Sequence, residues 1–250
     1  MRRARLPDPK NGNGHNGSLR IGGVGLRIDW PRWMRVLQRK RRLAARAAAS
    51  ANTPLEYFAV NTLTSFQLEG ICLQRDEVAA AILPGGTRRG FRSRTAQRIR
   101  NHVAILRKIE SSLRAGATLT SQTVLRWYTS ISCGLSLASL DESHMLRLDN
   151  IVRRINSPRY RLQPALTEIA HVHVQLNIDP LVPSFNGILT RLLLQYHLGR
   201  CGLPRIMFNQ PVDSTLMKDE SKLLKRILEM VDAAYEMVAG REAQTARIIG

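Results

Sequence analysis

The sequence predicts an all-α fold, a helical bundle packed around one central buried helix. Three observations point there. Strand signals are scarce, and aromatic residues make up only 5% of the chain. Apolar residues recur near helical period, as at Ile99, Val103, Leu106, Ile109 and Leu113. The segment 187–199 carries Ile188, Leu189, Leu192, Leu193, Leu194 and Leu198 on nearly every face, the pattern of a helix enclosed on all sides. With 250 residues and 44% hydrophobic content, the chain can form one domain with an ordinary core plus an appendage.

Residues 1–50 read as a flexible, partly disordered basic arm. Its Asn11–Ser18 stretch is rich in Gly and Asn, and a basic helix is expected from Pro31 to about Ala49. Gly23-Val24-Gly25 is half of a dinucleotide fingerprint, with no strand before it and no third glycine after it. Residues 51–250 form the helical domain. It opens on Thr53-Pro54-Leu55-Glu56, which has the composition of a capping box with Pro at the first helical position. That helix runs to Glu69, where Gly70 is a natural stop. A second helix is expected at 75–83, before Pro84-Gly85-Gly86, and a third at 95–113. Further helices follow at about 121–133, 143–156, 163–177, 187–199 and 218–239. There is no internal repeat.

The formal charge of +19 is spread unevenly. Residues 1–50 hold 13 Lys/Arg against Asp8 and Asp29, and the remainder holds 25 against 17. A second basic stretch runs from Arg88 to Arg114, with nine Lys/Arg against Glu110 alone. Such a balance favours nucleic acid, the ribosome or an anionic lipid surface as a partner, through 1–50 and 88–114. No run of about 18 apolar residues exists, so no transmembrane segment is expected. Cys72, Cys133 and Cys201 lack CxxC spacing and read as reduced core thiols of a cytoplasmic protein.

Four residues stand out chemically. Glu69 lies at a helix C-terminus, where the macrodipole disfavours a carboxylate unless a cation faces it. Arg191 lies one turn into the very apolar central helix, where a bare guanidinium is costly and needs a carboxylate or phosphate partner. Between them, Asn186-Gly187 combines a favoured N-cap with a residue that lets a ligand approach the backbone, and the helix N-terminus behind it can hold an anion. His171 and His173, two residues apart on a helix, face different ways. They suit core or interhelical hydrogen bonding better than metal ligation, and His197 adds no ligand spacing.

Two stretches, Ser65-Phe66-Gln67-Leu68-Glu69-Gly70 and Asn186-Gly187-Ile188-Leu189-Thr190-Arg191-Leu192-Leu193, together resemble the Fic/Doc (Fido) family, whose members mostly transfer AMP from ATP to a protein hydroxyl. The family core reads His-x-x-Phe-x-x-Ile-His-Pro-Phe-x-Asp/Glu-Gly-Asn-Gly-Arg-x-x-Arg-Leu-Leu. The segment from His173 to Arg191 matches that length without a gap, and Leu198-Gly199-Arg200-Cys201-Gly202-Leu203-Pro204 resembles the tail that follows. Asn101-His102 with Ala104 resembles the family's Asn-Tyr … Ala helix, so the resemblance spans about 54–210. It implies that Ser65, Glu69 and Gly70 belong to an inhibitory helix whose glutamate pairs with Arg191 and opposes the ATP γ-phosphate. It implies a weak nucleotide site at Asn186, Gly187 and Arg191.

The catalytic letters are eroded. The slot of the family's basic histidine holds Pro180, or Asp179 if the alignment shifts by one. The acid that binds Mg²⁺ is replaced by Ser184 or Pro183, the first phosphate arginine by Ile188, and the glycine before Asn-Gly by Phe185. Loss of a general base alone lowers rates by about 10²–10⁴. The expectation is therefore a degenerate Fic-like protein without a catalytic residue, acting through a protein partner or nucleotide binding, with ATP possible and Mg²⁺ unlikely. The alternatives are a divergent adenylyltransferase and a nucleic-acid binder working through the arm.

Overall fold

The computed structural model describes residues 28–47, 55–83, 93–133, 140–157, 161–208 and 218–249, and every regular element among them is helical. In chain order these are α1 (Trp30–Ala47), α2 (Leu55–Gln67), α3 (Arg75–Ile82), α4 (Ser93–Arg114), α5 (Ser121–Ser132), α6 (Glu142–Asn156), α7 (Leu162–Ile178), α8 (Asn186–Arg200) and α9 (Glu220–Ile249). Expected boundaries lie within about two residues of these at most ends. The exception is α9, which continues past 239 through Gly240, because Arg241-Glu242-Ala243 are strong enough helix formers to outweigh about 1 kcal/mol for one interior glycine. The capping-box residues Thr53 and Pro54, the half fingerprint at 23–25 and the stop at Pro84-Gly85-Gly86 lie outside the described residues.

The central helix is α8, where every residue from Ile188 to Leu198 is buried. It separates two apolar cores. Ile188, Leu189, Leu192, Leu193 and Tyr196 face a larger core built with α2 to α6. Leu194 and Leu198 face a second core shared with α1, α7 and α9. Trp30 and Leu37 are buried in that second core, and Lys40 pairs with Asp232 (2.6 Å) and Glu236 of α9. Residues 30–40, expected to belong to an appended arm, thus pack as part of the helical body. The reason lies in their pattern: Trp30 and Leu37 are seven apart and share one face of a helix that is otherwise basic.

The packing corrects the cysteine expectation and divides the histidine one: His171 makes an interhelical contact, while His173 is core without a hydrogen bond. The three cysteines are free, but Cys72 is exposed and Cys133 and Cys201 are half-buried, so they are not core thiols. His173 is fully buried beside His197, with ring centroids 5.8 Å apart. Neither ring nitrogen of His173 has a hydrogen-bond partner among the described residues, so it contributes ring packing rather than an interhelical hydrogen bond. His171 faces elsewhere, its Nδ1 3.2 Å from Glu220 Oε2.

Burial, with His197 adding to it, pulls His173 well below the usual histidine range, and burial and then Arg191 push His102 down to about 3. Unfolded histidines titrate near 6.5. Below about pH 6.5 the unfolded chain therefore binds more protons than the folded one, and stability is lost as the pH falls from 6.5 towards 3. His102 alone should remove about 2 kcal/mol by pH 5. Urea unfolding at pH 7 and pH 5 should show the lower midpoint at pH 5, and His173→Leu should reduce the difference. A midpoint independent of pH would contradict the assignment of neutral buried histidines.

Candidate functional site

Arg191 projects from the first turns of α8 towards the C-terminal end of α2, and its side chain is only 8% exposed. Three oxygens of α2 receive it. Nη2 donates to Glu69 Oε1 (3.1 Å) and to the Ser65 carbonyl (2.7 Å), and Nε donates to Ser65 Oγ (3.2 Å). The expected contact between Glu69 and Arg191 is made. Burial pulls the guanidinium below its ordinary range while Glu69 holds it up, and an arginine stays cationic regardless.

Gly70 positions the acid. Its φ of +75° lets the chain turn left-handed, the Ile71 N–H donates to the Phe66 carbonyl (3.0 Å) and the Gly70 N–H to Gln67 (3.0 Å). This is the hydrogen-bond pattern of a Schellman stop, with Glu69 at the C-cap. The Glu69 carboxylate then lies against Gly187. A Cβ at position 187 would sit 2.1 Å from Glu69 Oε1 and 2.9 Å from Arg191 Nη1. The seat for an anion at the start of α8 is therefore filled by the chain's own carboxylate. Behind it, His102 holds Thr62 Oγ1 through Nδ1 (2.9 Å) and meets Phe66 edge-on, tying α4 to the same face of α2.

The segment between α7 and α8 is fastened down. Asn186 uses both ends of its amide on the backbone: Oδ1 accepts from the Leu181 N–H (3.0 Å) and Nδ2 donates to the Leu176 carbonyl (2.9 Å). Leu181 and Val182 are buried in the larger core, beside Val124, Tyr128, Leu148 and Leu189, around an apolar recess with room for about one water. Asp179 caps α7 from the surface, and Arg147 Nη2 grips both its carboxylate and its carbonyl at 2.7 Å. Pro180 is exposed. Phe185 adopts φ +57°, unusual for a bulky residue, with the Arg98 guanidinium 4.6 Å above its ring.

No family model matches the sequence, and neither does any curated protein. Solved structures do align over most of it. Fic-1 from C. elegans superposes with a TM-score of 0.68 at 17% identity, over 84% of this chain and 71% of that one. A second version of Fic-1 gives 0.67 at 15%, over 83% and 72%. A Fic domain containing signaling protein from Bacteroides thetaiotaomicron gives 0.62 at 13%, over 82% and 96%. The chain has a Fic-like fold.

Within the Fic-like fold, Ser65, Glu69, Gly187 and Arg191 meet at one point, while Asp179 and Pro180 lie in the surface part of the α7–α8 connection. Ile188 is fully buried and cannot reach an anion. Ser184 Oγ faces Tyr128 Oη at 3.5 Å. Among the described residues, no group of three or more His, Cys, Asp or Glu is placed to hold a metal ion. Two residues and one backbone group of this neighbourhood escaped sequence reasoning. Arg147 and Arg98 come from distant helices and carry no local signal, and the Ser65 carbonyl is a backbone group.

Glu69→Ala should destabilise the fold by about 3 kcal/mol, since it leaves a buried guanidinium without its counter-charge. Gly187→Ala should cost about 1–3 kcal/mol by evicting the carboxylate from its seat. The double variant should lose much less than the sum, because the alanine then meets no carboxylate. Additive losses in chemical denaturation would show that Glu69 and Gly187 do not share a site.

Proposed function

We propose that this Fic-like chain is catalytically degenerate and acts by binding a protein partner, with its anion seat closed by Glu69. The observation that carries this reading is the Glu69 carboxylate lying within 2.1 Å of the position a Cβ at Gly187 would take, while Arg191 grips it. The family's chemistry calls for ATP with Mg²⁺, and the residues present do not fit that pair. The acid slot holds Ser184 or Pro183, and the first-arginine slot holds the fully buried Ile188. The second arginine and the glycine cradle are taken by Glu69, and the amide of Asn186 is committed to the backbone.

Asp179 is a poor substitute base. A base must be within hydrogen-bond reach of the proton it takes, and this carboxylate is already held by Arg147. The α7–α8 connection is anchored in the larger core by the buried Leu181 and Val182, which leaves those two side chains no surface to offer a substrate.

A nucleotide-binding remnant remains the second reading, favoured by one observation. Gly187 still lacks a side chain, so the seat would open if Glu69 withdrew. Isothermal titration of ATP, with and without Mg²⁺, into the protein and its Glu69→Gly variant tests this directly. Weak binding that appears only in the variant and does not depend on Mg²⁺ would favour the remnant.

Neither protein should transfer AMP. With labelled ATP, the protein and Glu69→Gly should both leave themselves and lysate proteins unlabelled, because releasing the glutamate supplies no base and no metal ligand. Strong labelling by the folded variant would overturn the proposal and restore the adenylyltransferase alternative.

A further inference from the structure

The outer face of α4 is a row of cations of which only Arg114 is answered by an acid of the helix. Arg94, Arg100, Arg107, Lys108 and Arg114 are all exposed, and Gln97, Ala104 and Ser111 fill the exposed positions between them. Spacings of three and four residues place these side chains on one face. The row from Arg94 to Arg114 is about 30 Å long. Glu110, the acid within the helix, is buried and already serves two arginines, Arg114 and Arg205 (2.9 Å). Arg94, Arg100, Arg107 and Lys108 make no ion pair among the described residues. Arg100 leans on Gln97 Oε1 (3.2 Å), and Arg107 lies over the Phe58 ring at 5.4 Å. Such contacts fix the guanidinium groups without neutralising them.

We propose that this face binds the phosphate backbone of double-stranded DNA. A straight row of charge on a rigid helix matches a stiff duplex better than a flexible strand. No exposed aromatic side chain lies on the face to stack unpaired bases. A protein partner would need an apolar or aromatic anchor, and the face offers only Ala104. The neutral hydrogen-bonding groups that could follow an RNA 2′-hydroxyl are committed: Gln97 to Asn101 and Arg100, and Asn101 to the Ser130 carbonyl. Half of α4 is buried against its neighbours, so the helix lies along the backbone and reads charge rather than base edges. This surface is independent of the Glu69 seat.

The test is fluorescence anisotropy on the full chain with a labelled 20-base-pair DNA duplex, between about 50 and 200 mM NaCl. The combined variant R94Q/R100Q/K108Q removes three charges that make no ion pair. It should lower the slope of log K against log salt by about 2.7, at about 0.9 per phosphate contact. Affinity near 0.1 M should fall about 100-fold or more. A control with the same charge change elsewhere, R153Q/R161Q/K225Q, should bind as the parent does. If the variant unfolds by circular dichroism, R100Q/K108Q replaces it, with an expected slope change of about 1.8. An α4 variant that binds like the control overturns the proposal. So does equal or tighter α4-dependent binding to an RNA duplex, or to polyglutamate as a mimic of an acidic protein.

Discussion

Arg191 holds a permanent positive charge where almost no water reaches it, and the arrangement around α8 follows from that need. A guanidinium with five N–H donors requires several acceptors at fixed angles, and a single carboxylate cannot satisfy it. The end of α2 supplies a carboxylate, a hydroxyl and a carbonyl from residues 65 and 69, which lie on one helical face. The requirement fixes how far α2 advances along α8, and the Gly70 turn fixes where α2 stops. Thr62 and His102 then carry the same register across to α4. A polar demand at one buried point sets the alignment of three helices that apolar contacts alone would leave free to slide.

The connection between α7 and α8 shows the opposite economy. It has Leu181 and Val182 turned inward, Asn186 bonded back across the end of α7, and Asp179 held at the surface by Arg147. Phe185 accepts a left-handed conformation that disfavours side chains by about 1–2 kcal/mol. The Arg98–ring contact and the buried neighbours offset that strain. A glycine there would be relaxed and flexible. A phenylalanine stiffens the connection, since its ring is held by Arg98 and its backbone has fewer conformations open to it.

Much of this was legible in the sequence, because the informative features were local or periodic. The all-apolar run in α8 announced a central helix, and a carboxylate at the wrong helix end together with an arginine in that run announced each other. The placement of residues 30–40 was not legible, since the basic surface of α1 masks its buried face of Trp30 and Leu37, and only the position of α9 reveals it. The cysteines misled because all three lie at or beyond helix ends, Cys72 between α2 and α3 and Cys133 and Cys201 at C-caps, where composition does not report burial. The missing partner of His173 was equally hidden, for a ring packed against another ring looks the same in sequence as one that donates a hydrogen bond.

The pairing of α1 with α9 has a consequence for how the chain is made. Lys40 and Asp232 are separated by 192 residues. At ordinary rates of synthesis that gap takes roughly 10–40 s to emerge from the ribosome. The larger core, assembled from α2 to α8, can form before α9 exists, but the second cannot. During that interval the apolar side of α1, with Trp30 and Leu37, lacks α9, its largest partner, and is partly open to chaperones or to a wrong helix. Among the described helices, the earliest is therefore among the last to be fully enclosed.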